Sequence, residues 1–224
     1  CLGEPLEKRV KRLLSEHLPE APAYPCDVSS DADIADFFGK VRNHTDRLDF
    51  VIHSVAYADR EDLQRDFIGT SRANFAMAMD ISAYSLVAVA REAAALMPAG
   101  GSIVTMTYFG SEKVVPNYNV MGVAKAALEA SARYLASDLG PRAIRVNCIS
   151  AGPLRTLSAS AIAGARAIGR FVEKVSPMRR NIDGSDVGNA ALYLVSDWAS
   201  AVTGEVLHVD AGCNIMGMGL VEKD

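Results

Sequence analysis

A tyrosine and a lysine seven positions apart, Tyr118 and Lys125, have the types and spacing that most suggest catalysis in this sequence. At 3.6 residues per turn this spacing is almost two helical turns, so both side chains would leave one face of a helix. An ammonium favours phenolate character in a nearby phenol, and we expect it to lower a tyrosine pKa that starts near ~10. The pair could then hydrogen-bond or protonate an oxygen that gains negative charge. By itself the spacing also fits a half-buried tyrosine beside a solvated lysine.

The elements around the pair are predicted to place it where a strand ends and a helix begins. Residues 102–107 are mostly apolar and predict a buried strand, and the following stretch YFGSEKVVPNYNVMGVAK, residues 108–125, runs into a helical pattern. Further apolar runs predict strands, and amphipathic runs predict helices. The predicted strands cover residues 48–55, 143–149 and 206–209, with at most a short strand at 23–26, and the predicted helices cover 4–18, 29–41, 71–97 and 185–196. Strands that alternate with helices predict an α/β fold with a doubly wound, Rossmann-like parallel sheet.

Length and composition restrict the class of protein. The chain has 224 residues, half of them apolar, a net charge of -4 and a pI near 5.6. We therefore expect one domain with a large core, and no general binding of nucleic acid or of a membrane surface. No apolar run approaches the ~20 residues that a membrane span needs and no signal segment opens the chain, which predicts a cytoplasmic protein. Four scattered cysteines predict reduced thiols, and the four histidines show no ligand spacing, so no metal site is expected.

Three longer segments resemble one family. The three segments are PNYNVMGVAKAALEASARYLA, RVNCISAGPLRTLSAS and GEVLHVDAGCNI. They are similar, in this order, to segments of the NADH-dependent enoyl-[acyl-carrier-protein] reductases, a divergent branch of the short-chain dehydrogenase/reductase superfamily. The usual superfamily pattern has three residues between tyrosine and lysine. This chain has six, with a second tyrosine, Tyr108, ten positions before Tyr118, as in the divergent branch.

The resemblance implies roles for individual residues. Tyr118 would donate to the thioester carbonyl, Lys125 would hold the ribose hydroxyls of NADH, and Tyr108 would be a second donor or a gate beside the acyl chain. The other implied cofactor-binding residues are Asp27, Val28, Ser54, Val55, Leu154, Arg155, Thr156, Leu157 and Ser158. The implied substrate-binding residues are Ala58, Tyr108, Met121 and Ile162. Ordinary structural roles stay open for these residues: Asp27 could cap a helix, Thr156 could cap the turn after a strand, and the apolar residues could be core.

Two features depart from the superfamily pattern. Position 105, where the usual catalytic serine is expected thirteen residues before the tyrosine, is Thr105. No glycine-rich phosphate loop follows a first strand, although a dinucleotide fold places the pyrophosphate at such a loop. We therefore expect residues 1–224 to be a single reductase domain that lacks its first two strands and that loop.

The resemblance also implies partners. The substrate would be an enoyl chain on acyl-carrier protein, and the basic residues Arg166, Arg170 and Lys174, with Arg179 and Arg180, could dock that acidic partner or be a solvated face. A homotetramer with long helices at its interfaces is implied as well. The predicted activity is reduction of the trans-2 double bond by NADH in fatty acid biosynthesis. The alternatives are a 3-oxoacyl or polyol dehydrogenase of the same superfamily, or a non-catalytic binding protein of this fold.

Overall fold

The structure is a computed structural model that describes residues 4–154 and 165–217. Its strands are β1 (Phe50–His53), β2 (Gly101–Thr107), β3 (Ile144–Ala151) and β4 (Val206–Val209). Its helices are α1 (Glu4–His17), α2 (Asp31–Arg42), α3 (Arg60–Gln64), α4 (Arg72–Met79), α5 (Ser85–Ala94), α6 (Asn119–Leu139), α7 (Ala165–Val175) and α8 (Gly184–Val195). The strands and helices alternate along most of the chain, as the sequence predicts.

The four strands form one parallel sheet in the order β1-β2-β3-β4. Neighbouring parallel strands need a crossover, and here each crossover contains at least one helix. Consecutive side chains of a strand point to opposite faces, so Ile103 packs into the core beside α5 and α6, whereas Val104 packs beside Leu194 of α8. Helices cover both faces of the sheet, which confirms the predicted doubly wound α/β class.

The predicted element bounds hold to within a few residues, with one exception among the strands. The segment 23–26 belongs to no strand, so the short strand proposed there is wrong for the described structure. Cys26, its last residue, and the following Val28 pack instead against the main core. Helix α2 begins after Ser30, whose side chain accepts a hydrogen bond from Asp33 N, so the serine rather than Asp27 is the capping residue.

The predicted helix 71–97 is an uninterrupted helical run with a change of pitch in its middle. Ser71 caps α4, residues Asp80–Tyr84 form a π-helical turn, and α5 continues to Ala94. An 18-residue stretch within the run Arg72–Ala94 has a mean hydropathy of 1.3, so by length and composition alone this run could cross a membrane, contrary to the sequence prediction. Its apolar side chains have another role, because those of α5 lie in the main core against α2, α6 and the sheet.

A close approach of two backbone segments positions the ring of Tyr118. Residues Phe109–Ser111 form a single 3₁₀ turn after β2, and Gly110 in this turn lies against the tyrosine ring. A Cβ at Gly110 would lie 2.8 Å from Tyr118 Cε1 and nearer still to Cδ1, and a Cβ at Gly122 of α6 would lie 2.6 Å from Gly110 O. The absence of both side chains therefore permits the turn, the ring and the helix to pack together.

We predict that Gly110→Ala destabilises the fold by about 1–3 kcal/mol, because the methyl group overlaps the buried Tyr118 ring. The matched control is Gly39→Ala in α2, where no atom lies within 4 Å of the added carbon. That substitution should stabilise the protein by about 0.5–1 kcal/mol, because alanine has the higher helix propensity. Denaturant midpoints of both variants test the comparison, and equal midpoints would contradict the close packing.

Candidate active site

The carboxyl ends of all four strands lie at one edge of the sheet, because the strands are parallel. The residues that follow β1, β2 and β3 include the predicted Ser54, Val55, Tyr108 and Leu154. Ligands of open α/β sheets bind at this edge. The structure thus brings residues from three separate parts of the sequence to the place where the fold binds ligands.

Tyr108 and Tyr118 contact each other in an edge-to-face arrangement. Their ring centroids are 4.9 Å apart with planes at 73°. Both belong to a small apolar cluster with Met121 and Ala58, built around Leu63 and Ala124. The predicted substrate-binding residues that the structure describes, Ala58, Tyr108 and Met121, therefore belong to the same apolar cluster as Tyr118, whereas Ile162 lies outside the described residues.

Lys125 of α6 is buried against the end of β2, with 6% of its surface exposed. Its Nζ donates a hydrogen bond to Met106 O at 2.8 Å. Met106 is the penultimate residue of β2, the strand that leads to Tyr108. Burial lowers the pKa of Lys125 to about 8, against the opposing effects of negative charge at Cys148 and Glu129. Since the ordinary lysine pKa is higher, this ammonium loses its proton as the pH rises through about 8.

The prediction that the ammonium lowers the pKa of Tyr118 is wrong in this structure. The phenol is 8% exposed, and its pKa is raised, first by burial and then by the charges of Tyr108 and Glu129. The ammonium hydrogen-bonds to a backbone carbonyl at Met106, where it does not offset these effects. Tyr118 is therefore a neutral phenol at pH 7, which suits it to donate a hydrogen bond.

Tyr118 and Lys125 do not lie on one regular helix, contrary to the sequence prediction. Tyr118 is the N-cap residue of α6, and its neighbours Asn117 and Asn119 have φ values of 63° and 40°. A left-handed residue between Tyr118 and the rest of the helix breaks the 3.6-residue periodicity. The tyrosine is placed by its packing against Gly110 and Tyr108, and not by a position on the helical face.

Asn119 is a structural residue of the site that the sequence interpretation missed. Its Nδ2 donates to Asp62 O at 3.1 Å and to Arg65 O at 2.7 Å, so it joins α3 to the start of α6. Asparagine tolerates left-handed backbone better than most residues. The triplet Asn-Tyr-Asn, residues 117–119, was therefore a signal for an irregular backbone at the tyrosine.

Glu129 was missed for a different reason. Thr107 Oγ1, in the last residue of β2, donates to Glu129 Oε1 at 2.5 Å, and both side chains are buried. Glu129 lies one helical turn after Lys125, so the carboxylate and the ammonium both hold the end of β2 against α6. A glutamate in an amphipathic helix gives no sequence signal for such a contact, because its partner lies in another element.

The predicted cofactor-binding residues fall into three groups. Ser54 is exposed and Val55 half-buried directly after β1, and Leu154 is half-buried after β3. Asp27 is outside the tyrosine group: its Oδ1 accepts from Ser29 N at 3.0 Å and Ser29 Oγ at 2.7 Å, and these bonds lower its pKa. Val28 packs against the main core, and Lys125 is described above. The last four predicted residues, Arg155, Thr156, Leu157 and Ser158, lie outside the described residues.

Thr105 does not face the tyrosine pair. It is fully buried within β2, and its Oγ1 is 2.9 Å from Nδ1 of His53. The hydroxyl at the position of the usual superfamily serine is thus part of the packing between two strands.

Comparisons with known proteins agree with this arrangement. The family model described as Enoyl-(Acyl carrier protein) reductase matches residues 1–214. The chain is 53% identical over 212 residues to an enoyl-[acyl-carrier-protein] reductase [NADH] of Nostoc sp., covering 95% of this chain and 82% of the relative. It is 52% identical over 206 residues to an enoyl-[acyl-carrier-protein] reductase [NADPH] of Staphylococcus aureus, covering 92% of this chain and 80% of that protein.

A solved structure gives the same result. The crystal structure of an enoyl-(acyl-carrier-protein) reductase from Anaplasma phagocytophilum in complex with NAD superposes with a TM-score of 0.92 at 46% identity, covering 100% of this chain and 83% of that one. Sequence and fold agree along nearly the whole chain, and the family model covers far more than half of it. The chain therefore belongs to the enoyl-(acyl carrier protein) reductase family.

Proposed function

We propose that this protein reduces the trans-2 double bond of enoyl-acyl-carrier-protein thioesters by hydride transfer from NADH, in fatty acid biosynthesis. The observation that carries the proposal is the contact of Tyr108 with Tyr118 at the ligand-binding edge of the sheet, where the buried ammonium of Lys125 also holds the end of β2. Two of the relatives described above are named as enoyl reductases, one with NADH and one with NADPH. This chain shares about half of their residues.

The residues of the edge fit a nicotinamide cofactor. An ammonium has three N–H donors, and the described contacts use one of those of Lys125, on Met106 O. The other two suit the vicinal hydroxyls of a ribose, and Ser54, Val55 and the residues after β3 lie along the same edge. Bound there, NADH would supply the hydride that the reduction requires.

Tyr118 has the properties of the group that stabilises the developing charge. It is a buried, neutral phenol, and burial strengthens a hydrogen bond from it to a thioester oxygen that becomes negative. Lys125 supplies a positive charge on the same side and orients the cofactor. Ala58, Met121 and Tyr108 line the apolar side on which the acyl chain would lie, and they exclude water from it.

We expect Tyr118→Phe to lower kcat for an enoyl thioester by roughly 10²–10³, the usual loss when one preorganised donor to an oxyanion is removed. The matched control is Tyr134→Phe, which removes an exposed hydroxyl from the same helix, α6, and should leave kcat unchanged. Steady-state rates with NADH and NADPH measure both variants and the choice of cofactor.

The same assay separates the proposal from its rivals. A wild-type protein that reduces a 3-oxo thioester faster than an enoyl thioester is a 3-oxoacyl reductase. A protein that binds NADH but turns over neither substrate is a binding protein. Either result would contradict the proposed activity.

We infer that α7 contributes to docking of the acidic carrier protein. Arg170, Lys174 and Arg179 are exposed on and just after this helix, which follows the segment that leaves β3 at the ligand-binding edge. Arg180 is a weaker candidate, because both of its terminal nitrogens pair with Asp186 at 2.7 and 2.9 Å. The side chain of Arg166 lies outside the described residues.

Charge reversal tests the docking surface. Arg170→Glu should raise KM about fivefold or more for an enoyl chain on carrier protein and leave KM for a small enoyl thioester unchanged, because only the carrier is acidic. The control is Lys11→Glu, the same charge change on α1. Equal effects of Arg170→Glu on the two substrates would disprove docking at α7.

A homotetramer is proposed from two exposed apolar surfaces on opposite faces of the sheet. On the side of α4, α5 and α6, Tyr134 is 76% exposed and Phe75, Tyr84 and Val123 are exposed as well; on the side of α8, Trp198 is 85% exposed and Leu192 64% exposed. Two distinct self-complementary surfaces are what a tetramer with D2 symmetry requires. We also propose a cytoplasmic location, which the free thiols of Cys26, Cys148 and Cys213 support.

Light scattering tests the assembly. The wild-type protein should have the mass of four chains, and Tyr134→Glu or Trp198→Glu alone should leave dimers, because each blocks one of two interfaces. A monomeric wild-type protein would contradict the assembly, whatever its activity.

A further inference from the structure

The π-helical turn Asp80–Tyr84 brings two buried serines to the loop that follows β1. Ser82 lies within the turn and Ser85 directly follows it, and both are fully buried. π turns inside α-helices are rare and occur frequently at functional sites. Each of these two hydroxyls makes a hydrogen bond outside the helix, to a residue at one end of a single loop.

The first contact is a directional chain through His53, the last residue of β1. Ser85 Oγ donates its single hydrogen to Ile81 O at 2.7 Å, so it must accept from His53 Nε2, 2.9 Å away. The histidine then carries its proton on Nε2, and Nδ1 accepts from Thr105 Oγ1 at 2.9 Å. Burial, together with the charge of Lys125, lowers the pKa of His53 to about 4, so the ring is neutral at pH 7 as this chain requires.

The second contact holds the far end of the loop. Tyr57 N donates to Ser82 Oγ at 2.9 Å, and Ser82 Oγ donates to Tyr57 O at 2.9 Å. One hydroxyl thus satisfies both backbone groups of one residue. Residues 54–57 are thereby fixed at both ends, through His53 and Tyr57, to the same turn of helix.

Between these ends the loop has little packing of its own. Ser54, Ala56 and Tyr57 are exposed, and only Val55 is half-buried. A segment with few buried contacts depends on its anchoring hydrogen bonds for order. The loop nevertheless lies at the ligand-binding edge and leads into Ala58, which packs beside the tyrosine pair.

We propose that the π turn is a positioning device for the cofactor-binding loop 54–57, and that Ser82 and His53 are positioning residues for NADH. This inference rests on the proposed function, because it takes that loop to bind the cofactor. Without these hydrogen bonds the loop would sample other conformations. The apparent Kd of NADH would then be the intrinsic Kd divided by the fraction of molecules whose loop is in the binding conformation. The chemical step depends on Tyr118 and should change little once NADH is bound.

The test compares two buried serines whose hydroxyls each donate to a backbone carbonyl. Ser82→Ala in the full natural chain should raise the Kd of NADH about tenfold and keep kcat at saturating NADH within about twofold. The control is Ser102→Ala, at the opposite end of β2, where Oγ donates to Leu194 O at 2.9 Å and the side chain is also fully buried. It should lower the melting temperature similarly but leave the Kd of NADH unchanged.

The outcomes separate this inference from the proposed function. If the wild-type protein does not bind NADH, the proposed function fails. If the wild-type protein binds NADH but Ser82→Ala and Ser102→Ala have the same Kd, the positioning role is disproved and the proposed function stands.

A second pair of variants decides the matter if Ser82→Ala does not fold. In His53→Gln the side-chain amide N–H can take the place of Nε2 and donate to Ser85. In His53→Asn the shorter amide can take the place of Nδ1 and contact Thr105, but it cannot reach Ser85. We expect the Kd of NADH to rise at least fivefold in His53→Asn and less than twofold in His53→Gln. Equal Kd values in the two variants would overturn the inference.

Discussion

The site depends on an ammonium buried at the end of a strand. Lys125 is almost inaccessible, and burial lowers its pKa to about 8 from its ordinary value of 10.5. The buried charge therefore destabilises the folded state below pH 8, and this destabilisation diminishes as the pH rises from about 8 to 10.5. The bond to Met106 O and the nearby Glu129 offset only part of it. A charge that opposes folding and contacts the end of a strand at a ligand-binding edge is typical of a functional site.

The backbone around Tyr118 also contains locally unfavourable features, and these features position its ring. Two asparagines in left-handed conformations flank the residue, and its ring fills space that a side chain at Gly110 would occupy. Each irregular feature has a compensating contact, such as the hydrogen bonds of Asn119 to the end of α3. Strained backbone persists only where surrounding contacts determine it. The phenol is thereby held against Tyr108, and its orientation does not depend on a flexible loop.

The long helical run Arg72–Ala94 combines several roles that its composition conceals. Its small apolar side chains pack in the core, and its exposed aromatic residues belong to one of the surfaces proposed for assembly. In its middle the π turn directs Ser82 and Ser85 toward the loop after β1. One helical run thus connects the packing of the core to the ligand-binding edge.

The sequence by itself determined the class of the fold and the family. Alternating apolar and amphipathic runs require buried strands with covering helices, and the words around Tyr118, Lys125 and residues 145–160 are specific. The family resemblance also assigned Tyr108, Tyr118 and Met121 to the site, and the structure packs these three residues in one apolar cluster. Tertiary structure decided the rest: the raised pKa of Tyr118, the partners of His53, and the pairing of Arg180 with Asp186. The physical reason is that burial and hydrogen-bond partners come from neighbouring elements in space, whereas periodicity and spacing report only on a residue's own element.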